Sequence, residues 1–183
     1  MEKVYEMIVA GVKRELPIIP ISDDLAIASF VILGDTELVC ETAKELVKRL
    51  PEADILVTAE AKGIPLVFEV SRLLGMERYV VARKSIKAYM ADPLVDEVES
   101  ITTQKKQMLC LDRNDVDLVA GKRVIILDDV ISTGESLRAV ESLVEKAGGK
   151  IVAKAAILAE GDAAKREDIM FLEELPLFPI TRD

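Results

Sequence analysis

Apolar and polar positions along this chain follow two periods, and the switches between them predict the element order. Val4, Met7, Ile8 and Val12 recur at helical spacing, so residues 3–15 read as a charged amphipathic helix. Pro17 and Pro20 stop it, and residues 16–34 become apolar and irregular. A second amphipathic helix covers residues 35–50, with Asp35 or Thr36 as N-cap and Pro51 at its end. Residues 53–59 form a strand, residues 60–65 a polar turn, and the helix that follows stops at Gly75. A short strand occupies residues 79–82. Residues 85–106 carry mixed charge, Pro93 and no sustained period. Alternation over 98–103 and 108–111 predicts a hairpin whose tip lies near 103–106. After Gly121 come Val124, Ile125, Ile126 and Leu127, an unbroken run suited to a buried parallel strand. A helix follows over 136–147, ended by Gly148 and Gly149, and then a buried strand over 151–158. The order predicts one α/β domain over residues 1–183, with a central, mostly parallel sheet flanked by helices.

The chemistry concentrates at residues 124–136. The apolar run ends in two adjacent carboxylates, Asp128 and Asp129, followed by Ser132, Thr133, Gly134, Glu135 and Ser136. Backbone N–H groups of such a turn and of the helix behind it can cradle a phosphate. The acids sit at the carboxyl end of a strand, where open α/β sheets bind ligands. The stretch lacks GxxxxGK[ST], so it is not a Walker loop. Acids beside an anion site suit ribose hydroxyls or a hydrated Mg²⁺. A strand merely capped by Asp is the plain alternative, but burying two consecutive acids without a purpose is costly. Two further strand ends carry matching groups: Glu60, Ala61, Lys62 and Gly63 in one turn, Arg83 and Lys84 in the next. A bidentate Arg and a point-charge Lys suit a pyrophosphate clamp.

Residues 124–136 resemble the phosphoribosyl pyrophosphate (PRPP) motif of type I phosphoribosyltransferases, and Glu60–Gly63 resembles that family's pyrophosphate loop. The stretch Leu25 to Ile32 is similar to the hood segment of the purine branch, the adenine and xanthine enzymes. Val98 to Gln104, then Asp112 and Arg113, is similar to the xanthine enzymes' loop region. The resemblance spans about residues 25–160 and implies transfer of 5-phosphoribosyl from PRPP to a purine, with Mg²⁺. It implies a hood from about 16–34 plus the C-terminal tail, which could instead be an edge strand. A flexible lid at about 86–107 is also implied. By role, Ser132, Thr133, Gly134, Glu135 and Ser136 hold the 5′-phosphate. Asp128 and Asp129 hold the ribose hydroxyls and possible metal-bound water. Glu60, Ala61, Lys62, Gly63, Arg83 and Lys84 handle pyrophosphate, and Thr103, Lys105 and Lys106 belong to the lid. Leu25, Ile32 and Glu160 fall near the base. Xanthine enzymes carry a Lys where this chain has Gly161, so Glu160 and Asp162 point to an exocyclic amine and hence to adenine. Hypoxanthine, guanine and xanthine remain the alternatives, and a non-catalytic PRPP-sensing regulator is the rival from another class. The family also implies a homodimer.

Composition narrows the chemistry. The chain of 183 residues is 50% apolar, 31% charged and only 4% aromatic, so its core is aliphatic. A net charge of −9 argues against nucleic acid as partner and requires local cations around an anionic substrate. With no histidine, imidazole cannot serve as base or ligand. Cys40 and Cys110 stand far apart, which offers neither a zinc site nor a disulfide framework. No run reaches membrane-spanning length and the start does not read as a signal peptide, so a cytoplasmic location is expected.

Overall fold

The computed structural model describes residues 3–99 and 106–180. The N-terminal segment is a hairpin, not a helix: β1 (Val4–Val9) pairs antiparallel with β2 (Val12–Pro20). The buried residues are Met7, Val9, Val12 and Leu16, which alternate along the strands, whereas Val4 and Ile8 are exposed. Ala10 and Gly11 make the turn with φ of 51° and 76°, the mirror-image geometry that matches the twist of paired strands. Helical spacing of four apolar residues thus lost to a period of two, decided by a turn that Gly11 permits.

β2 pairs with β3 (Leu25–Ala28), and β3 with β11 (Leu177–Pro179) near the chain end. These four strands form a small sheet of order β1-β2-β3-β11, so the capping layer begins at Val4 rather than near residue 16.

The main sheet has the order β10-β9-β8-β4-β5, and every pairing in it is parallel. Its strands are β4 (Ile55–Ala59), β5 (Val80–Ala82), β8 (Arg123–Ile131), β9 (Lys150–Glu160) and β10 (Met170–Leu175). The tail therefore does both things open to it, β10 as an edge strand of this sheet and β11 as part of the cap. Side chains of β8 alternate between two cores. Ile125 and Leu127 face α1 (Thr36–Val47), α2 (Ile64–Leu73) and the small sheet, while Val124 and Ile126 face α4 (Glu135–Lys146). Asp35 caps α1 by accepting from the Leu38 amide at 3.1 Å.

The hairpin is β6 (Leu94–Glu99) with β7 (Lys106–Leu111), followed by α3 (Arg113–Val119). Sequence periodicity does not predict α3, because only Val119 of it is buried. The β6 end of the hairpin leans on α4 through an ion pair between Asp96 and Lys146.

Candidate functional site

A cleft of about 520 Å³ opens between the carboxyl ends of the main-sheet strands and the small sheet. It is where the topology puts a ligand in an open parallel sheet. Three strand ends feed it.

The first is β4. Beyond it, the turn Glu60 to Gly63 (with a cis Glu60–Ala61 bond) places Lys62 Nζ 2.8 Å from Asp129 Oδ2 and 3.4 Å from the Phe30 carbonyl. The Asp129 contact is an ion pair: no donor meets Oδ2 in hydrogen-bonding alignment among the described residues. Gly63 is required by space. A Cβ there would stand 2.1 Å from Thr58 Oγ1 and 3.1 Å from Asp128 Oδ1.

The second is β5, continued by Arg83 and Lys84. Glu60 accepts from the Lys84 amide at 2.9 Å and stands 3.3 Å from Arg83 Nε. The Lys84 amide, helped by the Arg83 charge, holds the Glu60 carboxyl below its usual range despite desolvation. Arg83 also reaches the Tyr89 hydroxyl at 3.3 Å. Of the groups expected to handle pyrophosphate, Glu60, Ala61, Lys62 and Lys84 line the cleft. Arg83 and Gly63 stand behind that wall, Arg83 as a brace and Gly63 as the close approach.

The third is β8. This strand does not stop at the acids, as the sequence pattern suggests, but runs through them to Ile131. Alternation then sends the two carboxylates to opposite faces at the carboxyl end of this central strand. Asp129, only 3% exposed, meets Lys62. Asp128 accepts from the Asp129 amide at 2.9 Å and lines the small cavity of the following loop. Burial, together with the Asp129 charge, pushes the Asp128 carboxyl up to about 7, against the pull of the Asp129 amide and Lys62.

That small cavity measures about 60 Å³ and is lined by Ser132, Thr133, Gly134 and Ser136 as well as Asp128. Gly134 has φ of 78° and opens α4, so the amides that start the helix surround a pocket of phosphate size. The Glu135 amide donates to Thr133 Oγ1 at 3.4 Å.

The remaining expected residues divide. Glu160, at the end of β9, lines the cleft, and burial raises its carboxyl against the pull of Lys62. Leu25 lines an adjoining cavity of about 850 Å³, which shares Ile27, Ser132 and Glu160 with the cleft. Ile32 is corrected: it is fully buried in the core and faces a separate hollow beside α1 and α2. The cap instead offers Ile27, Ser29, Phe30 and Val31 to the cleft, with Leu175 opposite. Counting by two from Leu25 along β3 selects Ile27, a signal that the sequence reading missed. Thr103 and Lys105 lie outside the described residues, and Lys106 opens β7.

Among the described residues no group of three His, Cys, Asp or Glu is placed to hold a metal ion. The two carboxylates, with Asp129 Oδ2 buried and lacking an aligned donor, fit a hydrated dication carried mainly by substrate phosphates.

The cleft and the small cavity beside it sit at the carboxyl ends of a parallel sheet under a small cap, with Lys62, Lys84, Asp128, Asp129 and the loop after β8 on their walls. A family model described as "Phosphoribosyl transferase domain" matches residues 33–177. The chain is 37% identical over 141 residues to a hypoxanthine/guanine phosphoribosyltransferase of Methanococcus voltae, covering 76% of this chain and 71% of that one. It is 35% identical over 120 residues to a xanthine phosphoribosyltransferase of Bacillus thuringiensis, covering 64% and 59% of the two chains. In architecture it is similar to the adenine phosphoribosyltransferase of Thermoanaerobacter pseudethanolicus, with TM-score 0.66, 21% identity and coverage of 93% and 95%. The yeast enzyme from Saccharomyces cerevisiae, solved with adenine and an imino-altritol bisphosphate, gives TM-score 0.63 at 20% identity, over 92% of this chain and 93% of that one. The chain belongs to the phosphoribosyltransferase family and has its type I fold.

Proposed function

We propose that this protein transfers 5-phosphoribosyl from PRPP to a purine, giving a nucleoside 5′-monophosphate and pyrophosphate. The observation that carries the reading is the convergence of Lys62, Lys84, Asp128, Asp129 and the Ser132 loop on one cleft. In the reaction the C1′–O bond to pyrophosphate breaks and a C1′–N bond to the base forms. Positive charge develops on the ribose and negative charge on the departing pyrophosphate. Positioning and electrostatics suffice, and no protein nucleophile is needed.

The loop from Ser132 to Ser136 receives the 5′-phosphate, and Asp128 and Asp129 hold the ribose hydroxyls. Lys62 and Lys84 meet pyrophosphate, with Arg83 bracing that turn through Glu60. Mg²⁺ held by substrate oxygens, water and these aspartates would neutralise charge on the leaving group when bound. The proton lost by the base goes to pyrophosphate, a carboxylate or solvent.

The base lies toward Leu25 and Ile27, where Glu160 accepts from an exocyclic amine. That chemistry favours adenine. The similarity to hypoxanthine/guanine enzymes favours a second reading, in which the amine is that of guanine. We place the enzyme in the cytoplasm as a homodimer, with the exposed Phe68 and Leu74 offering a face that a second copy would cover. The test is pyrophosphate release from PRPP and Mg²⁺ with adenine, hypoxanthine, guanine, xanthine, orotate and uracil in turn. Turnover with a purine and none with the pyrimidines is expected. PRPP binding with no base consumed would replace the reading with a PRPP sensor.

A further inference from the structure

Behind the phosphate loop lies a feature the reaction scheme above does not use. Arg166 follows the short 3₁₀ turn Gly161–Lys165, and its guanidinium is held by Asp168 as a fork: Nε donates to Oδ1 at 2.9 Å and Nη2 to Oδ2 at 2.8 Å. Asp168 is itself pinned by Lys154 of β9, which also pairs with Glu141 of α4 at 2.8 Å. The fork leaves Nη1 as the free arm. It points at the phosphate loop, where a Cβ on Gly134 would lie 2.7 Å from Arg166 Nη1 and 3.5 Å from Arg138 Nη1.

Arg138 makes the arrangement more pointed. It sits in the first turn of α4, the positive end of the helix, where a cation is disfavoured. Among the described residues it has no ion-pair partner, and it stands beside a second guanidinium on the wall of the same cavity. Two guanidiniums and a helix N-terminus crowd one glycine in a chain whose net charge is −9. A dianion in the loop would offset that crowding; Asp168 is already taken up by Arg166 and Lys154, Asp162 pairs with Lys165, and Glu160, on the same wall, forms no ion pair with either guanidinium among the described residues.

We infer that Arg166, clamped by Asp168, is a positioning residue for the phosphate loop, and that with Arg138 it gives the site its preference for a phosphorylated sugar. The inference rests on the reading that Ser132–Ser136 receive a sugar phosphate. Arg166 braces Gly134 from behind and keeps the loop's amides facing the small cavity. Its charge, set beside that cavity and held in place by Asp168, adds to the field on the phosphate. The pyrophosphate end, governed by Lys62 and Lys84, is untouched by this pair.

The experiment compares ribose 5-phosphate and pyrophosphate binding by calorimetry to the full chain and to Arg166→Ala, Arg166→Lys, Arg138→Ala and Asp168→Asn. Arg166→Ala should weaken ribose 5-phosphate about tenfold or more, as for losing a charged partner, and leave pyrophosphate affinity unchanged. Arg166→Lys should recover part of the loss. Asp168→Asn, which keeps the Arg166 guanidinium but removes the carboxylate that holds its fork, should show the same loss in smaller measure. In turnover, the KM for PRPP should rise while the KM for the base stays put. Equal weakening of both ligands would mean a loosened fold and overturn the inference, as would unchanged ribose 5-phosphate affinity in a variant that melts like the parent. If the parent chain binds no ribose 5-phosphate, the sugar-phosphate reading falls first and this inference with it.

Discussion

Lys62 and Asp129 meet at 2.8 Å across the cleft, joining the turn after β4 to the end of β8. Asp129 is almost fully buried and Lys62 is its nearest positive charge, so two strand ends that sequence separates are made one site by this pair.

Removing Lys62 leaves the Asp129 carboxylate buried without its counter-charge. Lys62→Ala should therefore lower stability by roughly 1–3 kcal/mol and raise the KM for PRPP. Adding Asp129→Asn should restore the melting temperature without restoring turnover. Thermal melts of the two single variants and the double variant check this; additive losses would show that the pair is not coupled.

Asp128 gives stability a pH signature. Its carboxyl is raised to about 7 in the fold from an ordinary value of 3.8. The folded state thus favours the protonated form, and this contribution is fully present below about pH 4 and fades as pH rises through 7. Melting temperatures of the parent relative to Asp128→Asn should fall between about pH 4 and pH 7 and level off above that. A parent curve that rises against the variant over that range contradicts the raised value.

Gly63 has no room for a side chain. Gly63→Ala should cut PRPP turnover by about a hundredfold, the scale of losing a positioned catalytic contact. Because the nearest obstacle is Thr58 Oγ1, the double variant with Thr58→Ala should regain part of the activity. Full activity in Gly63→Ala alone would mean the turn can shift freely.

Glu160 is the carboxylate at the base end of the cleft. Glu160→Gln replaces a pure acceptor by a group that can also donate, which suits a 6-oxo base. The ratio of kcat/KM for adenine over hypoxanthine should drop by about tenfold. An unchanged ratio removes Glu160 from base contact.

Residue types pick out side chains that the structure gathers at one cleft, and periodicity picks out the parallel sheet that gathers them. Adjacent acids after a buried run, then small residues opening a helix, form a local arrangement, and it folds locally. The hairpin at the N-terminus was misread because Val4 and Ile8 supplied a helical spacing that burial does not honour. β8 runs past its acids because each carboxylate finds a partner there, Asp129 the Lys62 ammonium and Asp128 the Asp129 amide. Ile32 was misplaced because the bend after β3 turns it into the core. The Lys62–Asp129 pair and the approach of Arg166 to Gly134 join residues far apart in the chain, and no local pattern announces either.

The central claim is that the carboxylates of β8 and the loop after it receive a phosphorylated sugar. The most direct measurement is a crystal structure of the chain with PRPP and Mg²⁺. The account predicts the 5′-phosphate within hydrogen-bonding distance of the amides from Thr133 to Ser136, and the ribose hydroxyls on Asp128 and Asp129. Ligand density elsewhere, or a loop left vacant at saturating PRPP, would contradict it.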